Sequence, residues 1–229
     1  MQCIAIIPAR GGSKRIPRKN IKLFHGKPLI AYSIETALAS GLFSEVVVST
    51  DDAEIAEVAR SYGASVPFVR PKELSDDFTT SGAVVTHAMK WLQENGREFN
   101  YLCTIYATAP FLQASYLKEA LDKLKNSSAK YAFSCTSMPF PIQRTFKITP
   151  NERCEMFWPE HFAKRSQDLE VAYQDAGQFY FNKLSQKSNE LIFGHDSIPI
   201  ILPRYLVQDI DDTEDWLRAE MMYEVIQRR

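Results

Sequence analysis

The chain has 229 residues, 27 of them Lys or Arg and 28 Asp or Glu, with 45% hydrophobic and 24% charged residues. That is an ordinary globular balance, with enough chain for one α/β domain carrying an elaboration. A formal net charge of -1 excludes a nucleic-acid binder that works through bulk positive charge, and no apolar run approaches the roughly 20 residues needed to span a bilayer.

The chain opens on Cys3-Ile4-Ala5-Ile6-Ile7-Pro8, with no basic segment followed by a long apolar one, so no secretory leader is read there. Cys3, Cys103, Cys135 and Cys154 show no C-x-x-C spacing. The first three lie in apolar runs, which predicts buried, reduced thiols and a cytoplasmic protein.

Residues 3–7 are almost wholly apolar and end at Pro8, the pattern of a strand buried on both faces of a parallel sheet. A polar loop follows to about His25. Pro28 then opens a helix in which Leu29, Ile30, Ile34, Ala37 and Leu38 recur at helical spacing until Gly41. A second strand is predicted over 46–48, a helix capped by Asp51 or Asp52 running through Ala59, and a third strand over 66–69. Then come a helix over about 81–94, a strand over 101–105, a helix over 116–125 and a strand over 131–134. Such alternation predicts an α/β fold with a doubly wound, mostly parallel sheet and a site beyond the carboxyl ends of its strands.

The rhythm breaks over about 137–173, where Pro139, Pro141, Pro150 and Pro159 stand beside Phe140, Phe146, Phe157, Trp158 and Phe162. A long aperiodic stretch rich in aromatics is either an oligomer contact or a wall over the substrate pocket. The expectation is an irregular dimerisation excursion from a single domain spanning 1–229, hence a homodimer. Strands are predicted again over 178–181 and 198–202, and a closing helix over about 213–226.

Chemistry concentrates first in the loop after the opening strand. Between Arg10 and Lys22 it carries Arg10, Lys14, Arg15, Arg18, Lys19 and Lys22 and no acidic residue. Gly11-Gly12 lets backbone N–H groups approach a ligand and form an anion-binding nest. Arg and Lys supply charge-assisted hydrogen bonds to phosphate oxygens. The loop matches neither the Walker A pattern nor G-x-G-x-x-G. A solvated basic loop is the plain alternative, but the position after the first strand of an α/β sheet favours a nucleotide triphosphate.

Ile6-Ile7-Pro8-Ala9-Arg10-Gly11-Gly12-Ser13-Lys14, with Pro17 and Lys19-Asn20, resembles the signature loop of CMP-sialic acid synthetases and related acylneuraminate cytidylyltransferases. That resemblance implies a Rossmann-like nucleotidyltransferase fold and CTP as ligand, with Arg10, Gly11, Gly12, Ser13, Lys14, Lys19 and Asn20 around the nucleotide and Arg10, Lys14 and Lys19 acting in catalysis. Val48-Ser49-Thr50-Asp51 is similar to the family's second-strand segment. Arg70-Pro71-Lys72-Glu73-Leu74 resembles its R-P-x-E-L segment, which implies a nucleotide contact for Arg70. Thr79-Thr80-Ser81 falls on a hydroxyl-rich stretch associated with base and ribose. Thr80 and Ser81 are candidates there, and equally good helix caps.

Tyr106-Ala107-Thr108-Ala109-Pro110-Phe111-Leu112 stands where the family commonly has Q-P-T-S-P-L-R, so Tyr106 replaces the glutamine and Leu112 the arginine. This variant, with the segment from His161 to Leu169 and Asp175-Ala176-Gly177-Gln178-Phe179-Tyr180, looks more like the pseudaminic acid branch. The resemblance implies a sugar site involving Tyr106, Thr108, Gln178 and Tyr180. Lys164 and Arg165 are read either as partners of the sugar carboxylate or as surface cations.

Near the C-terminus, Gln208-Asp209-Ile210-Asp211-Asp212-Thr213-Glu214-Asp215 puts Asp209 and Asp211 on one side of an extended chain, as hard Mg²⁺ requires. A helix start with Asp211 or Asp212 as cap explains the same residues. The resemblance to the family's metal-binding D-x-D assigns the metal to Asp209 and Asp211 and the cap to Asp212 and Glu214. The expected reaction joins CTP to an acidic nine-carbon 2-keto sugar with release of pyrophosphate. Pseudaminic acid is favoured over N-acetylneuraminate and legionaminate, no nucleic acid or membrane partner is expected, and a non-catalytic nucleotide sensor is the rival from another class.

Overall fold

In the computed structural model, which describes residues 2–185 and 192–228, the opening apolar run forms β1 (Cys3–Pro8). Its alternation serves both faces of a sheet. Cys3, Ala5 and Ile7 pack into one core cluster, Ile4 and Ile6 into another. After the basic loop, β2 (Leu23–Phe24) and β3 (Lys27–Pro28) form a short antiparallel ladder, turned at His25 and Gly26, both at positive φ. α1 (Leu29–Ser40) follows and stops at Gly41, whose φ of 67° is the left-handed end that glycine accepts without strain.

β4 (Glu45–Ser49), α2 (Ala53–Ser61) and α3 (Ser81–Glu94) come next. Asp52 caps α2 by accepting from the Ile55 N–H at 3.0 Å, and Thr80 caps α3 by accepting from Ala83 N–H at 3.3 Å. Then come β5 (Tyr101–Ile105), α4 (Ala114–Lys125) and β6 (Tyr131–Ser137). The excursion contains the hairpin β7 (Phe146–Ile148) and β8 (Cys154–Met156). β9 (Tyr173–Lys183), β10 (Ser197–Ile201) and α5 (Thr213–Gln227) complete the order.

The main sheet runs β10-β6-β9-β5-β1-β4. β1 pairs in parallel with β4 and β5, and β10 with β6, while β9 lies antiparallel between β5 and β6. This is the mostly parallel, doubly wound sheet expected, with one reversed strand. α1, α2 and α4 bury Ile34, Ile55 and Leu121 on one face, and α3 buries Val85, Ala88 and Leu92 on the other. Trp216 and Ala219 of α5 close a third cluster with Ile16, Phe24, Leu29 and Phe111. The core therefore clamps the basic loop at Ile16.

The strand predicted over 66–69 does not form. Only Ser65 bridges to Val47, and the chain touches the edge of β4 again when Arg70 N–H reaches the Thr50 carbonyl at 2.9 Å. Pro67 and Pro71 remove donors that a ladder would need, and Val69 is exposed. The strand predicted over 178–181 is longer, because Gly177 at φ 62° and a register shift opposite Phe133 and Cys135 carry β9 through a bulge. Among the described residues no helix is long and apolar enough to cross a membrane. Cys3, Cys103 and Cys135 are buried free thiols and Cys154 is an exposed one; burial pushes the Cys3 thiol up to about 12.

Candidate active site

The carboxyl ends of β1, β4 and β5 stop at Pro8, Ser49 and Ile105, and the chain leaving β1 and β5 borders one cavity of about 500 Å³. The basic loop crosses its floor. Asp51, just beyond β4, fixes that loop: its Oδ1 accepts from Gly11 N–H at 3.1 Å and from Arg70 Nη2 at 3.2 Å. Asn20, itself buried, donates from Nδ2 to the Arg10 carbonyl at 3.0 Å. Arg18, held at φ 56°, pairs with Asp52 and Glu54, and the guanidinium keeps the Asp52 carboxyl below the usual carboxylate range. Gly11 is required sterically: a Cβ there would lie 2.7 Å from Asp52 Oδ2. Its amide, taken by Asp51, is not free for a nest.

Arg10, Lys14, Arg15 and Lys19 face the cavity and meet carboxylates distant in sequence. Arg10 Nη1 lies 2.7 Å from Asp77 Oδ1 and donates to the Asp76 carbonyl at 2.8 Å, and Lys14 pairs with Asp77 Oδ2. Arg15 Nη2 is 2.9 Å from Asp211 Oδ2, and Lys19 Nζ is 3.4 Å from Asp211 Oδ1 while also donating to the Ile210 carbonyl. Arg70 forms part of the wall. It is buried, its Nε has no hydrogen-bond partner, and burial lowers its pKa.

Ile210 is buried between Asp209 and Asp211. Asp211 lines the cavity and Asp209 is not among its lining residues. Partial desolvation, and then the charge of Asp211, raises the Asp209 pKa, with Asp215 and Asp175 adding to the repulsion. The side chain still reaches solvent. Asp212 caps α5 as predicted, but its partner is Asp215 rather than Glu214. Asp215 Oδ2 reaches back to the N–H groups of Asp211 at 3.0 Å and Asp212 at 3.2 Å, closing a capping box.

A second cavity of about 720 Å³, more apolar, adjoins the first and shares Ser81 and Tyr106 with it. The rings of Tyr106 and Tyr180 meet at 5.3 Å. Tyr180 O–H donates to Asp175 Oδ2 at 2.5 Å, and burial, then this acceptor, pushes the phenol pKa up. Ser33 donates to the Tyr106 carbonyl at 2.7 Å, pinning the segment on which Thr108 reaches the first cavity.

Arg10, Ser13, Lys14, Lys19, Asn20, Arg70, Ser81, Tyr106, Thr108 and Asp211 thus come together. Others do not. Thr80 acts as the cap of α3, and Gly12 is exposed to solvent. Gln178 is buried and donates to the Leu206 carbonyl at 2.5 Å, tying β9 to the segment before Asp209. Lys164 and Arg165 lie exposed on the excursion, Arg165 paired with Asp168 at 2.8 Å, and neither lines either of these two cavities. Asp76, Asp77, Thr79 and Arg15 line the first cavity without having been singled out. Arg15 was legible as one more cation of the loop. Nothing local distinguishes Asp77 from any surface acid.

The sequence matches the cytidylyltransferase family over residues 4–206. It is 50% identical over 226 residues to a pseudaminic acid cytidylyltransferase of Campylobacter jejuni, covering 98% of this chain and 97% of the relative. It is 32% identical over 235 residues to a CMP-N,N'-diacetyllegionaminic acid synthase of Legionella pneumophila, covering 99% and 98%. The fold is shared, with a TM-score of 0.67 at 15% identity over the whole of both chains, with a CMP:2-keto-3-deoxy-manno-octonic acid synthetase solved with CTP.

Proposed function

The chain belongs to the cytidylyltransferase family, and from that premise we propose that it couples CTP to a nine-carbon 2-keto sugar acid, pseudaminic acid in the first place, releasing pyrophosphate. The single observation that carries the reading is the cationic floor of the first cavity, where Arg10, Lys14, Arg15 and Lys19 converge with the buried Arg70 at the carboxyl ends of the strands. The substrate preference rests on the 50% identical relative and on position 112. Leu112 is buried in the core, so no arginine reaches the sugar from there, and Tyr106 with Tyr180 offers an aromatic surface where the wider family has glutamine.

The anomeric oxygen of the sugar attacks the α-phosphorus of CTP, a new P–O bond forms, and the bond to the departing pyrophosphate breaks as the hydroxyl proton leaves. Arg10, Lys14 and Lys19 bind the phosphates and neutralise charge that grows on them, and Arg70 orients the nucleotide. Positioning and fixed charge are the main contributions a protein makes to such a transfer. A divalent cation accompanies nucleotides in this chemistry, and the residues present fit one. Asp209 and Asp211 are hard oxygen donors, and the Asp209 carboxyl, raised by burial first and by the charge of Asp211 second, is a group that a dication would stabilise in its ionised form. Those two carboxylates would hold Mg²⁺, which supplies charge neutralisation when bound alongside phosphate oxygens.

The excursion supports a homodimer, since Phe140, Phe146, Ile148 and Phe162 all stand exposed on it. Free thiols suit a reducing cytoplasm. A pyrophosphate-release assay with CTP and Mg²⁺ against pseudaminic, N,N'-diacetyllegionaminic and N-acetylneuraminic acids tests the whole reading. Fastest release with pseudaminic acid is expected. Release with another acid alone reassigns the sugar, and none with any acid makes the chain a nucleotide sensor.

A further inference from the structure

We propose that Asp77 is a positioning residue, a tethered anion that holds Arg10 and Lys14 where the phosphates of the nucleotide need them and gives way when those phosphates arrive. The inference rests on reading the first cavity as the CTP site and adds to it a competitor built into the chain.

The segment between Ser75 and Thr80 is folded to present this carboxylate. Asp76 turns inward on its own loop, its Oδ1 accepting from Phe78 N–H at 3.0 Å and from both Thr79 N–H and Thr79 Oγ1 at 2.7 Å. Thr80 then starts α3, so the loop is anchored on its helical side. Asp77, between these fixed points, projects into the cavity and divides its oxygens. Oδ1 takes Arg10 and Oδ2 takes Lys14, as two oxygens of one phosphate group divide between two cations. The pairing is strong enough to hold the Asp77 carboxyl below its ordinary range, through Lys14 first and Arg10 second.

Two facts make Asp77 a placeholder instead of a permanent partner. The loop from Arg10 to Lys22 carries no acid of its own, so without Asp77 the neighbouring charges of Arg10 and Lys14 lose the carboxylate they share, and Arg10 keeps only the Asp76 carbonyl. Yet both ion pairs are open to solvent, with Lys14 79% accessible, and such pairs are weak and screened. A triphosphate, with several charges and more acceptors, outcompetes one carboxylate for the same two cations.

The test is calorimetric titration with inorganic pyrophosphate, CTP and cytidine on the full chain and on Asp77→Asn and Asp77→Glu. Wild type is expected to bind pyrophosphate and CTP. Asp77→Asn should bind both tighter by about three- to fivefold, the scale of one exposed ion pair, with cytidine unchanged and Asp77→Glu close to wild type. Turnover by Asp77→Asn should fall even as the CTP KM falls, a split that loss of fold does not produce. Pyrophosphate binding unchanged or weaker in Asp77→Asn, while wild type binds it measurably, overturns the proposal alone. A wild type that binds neither pyrophosphate nor CTP removes the cavity's assignment, and this role with it.

Discussion

The cavity at the carboxyl ends of β1 and β5 and the excursion over 137–173 handle their reactive surfaces in opposite ways. At the cavity each loop cation already has a partner within the chain, and the anchors Asp51, Asn20 and Arg70 are part-buried or buried. On the excursion the large apolar side chains face outward, and the hairpin β7–β8 has three residues a side, too little to cover them. One region pairs its charges within a single chain. The other has exposed a surface that a second copy would cover. Charge distant in sequence can be neutralised locally by two or three well-placed groups, whereas apolar area is removed from water only by comparable area.

The contrast breaks most visibly if the cavity can lose a charge without consequence. Asp211→Ala is expected to cut turnover by about 10²- to 10³-fold, the usual effect of removing one charge-stabilising group from such a site. The helix cap, which is Asp212, stays intact. Pyrophosphate release and size-exclusion chromatography together check it: activity should collapse with the assembly unchanged. Retained Mg²⁺-dependent activity would take Asp211 out of the metal site.

Gly11→Ala probes the packing of the loop instead of its charge. The new Cβ meets Asp52 at 2.7 Å, so the loop must shift and carry Arg10 with it. The CTP KM should rise by about tenfold, equivalent to ~1.4 kcal/mol, with little change in melting temperature.

The other side of the contrast is sharpened by the double change Phe146→Ser and Ile148→Ser. Both residues are exposed in the chain, so the fold should hold. Sedimentation should move from dimer to monomer, with CTP binding by calorimetry kept and kcat/KM for the sugar down by about fivefold, the scale of one or two lost contacts. Weakened CTP binding would mean that the cavity depends on the partner after all.

The smallest effect is expected at Asp52→Asn, which keeps a good cap for α2 and loses the Arg18 pair. The Asp52 pKa is depressed in the folded chain. Its stabilisation is therefore present above the ordinary value of about 3.9 and disappears as pH falls through the lowered one. The variant should be less stable than wild type by at most about 1 kcal/mol at neutral pH, allowing for solvent screening. Denaturation curves should converge with wild type at the acid end, below the ordinary carboxylate range.

Much of the fold was legible because its signals are local. The apolar run at 3–7, the helical spacing from Leu29 to Leu38 and the hydroxyls before Ser81 each act within a few residues, and the corresponding elements form. The failure at 66–69 came from weighing Val66, Phe68 and Val69 above Pro67 and Pro71, whose missing donors decide the matter at a sheet edge. Glu214 looked like the cap partner by charge, but the reach of a capping box selects the N3 residue, Asp215. Gln178 lay in a motif that implied a sugar contact, yet the strand turns its side chain into the interior, toward Leu206.

By itself the sequence determined the alternation of strands and helices, the concentration of cations after the first strand and the family to which they point. The first two follow from spacing and composition, which the backbone reads over one or two turns, and the family follows from the resemblance of the motifs. Only the tertiary structure decided which charges meet. Asp211 comes to Arg15 and Lys19 from the far end of the chain, Asp77 comes to Arg10 and Lys14 from the loop before α3, and Lys164 and Arg165 stay outside on the excursion. Coulombic pairing depends on distances of a few ångströms, and the core packing of β1, β4 and α5 sets those distances.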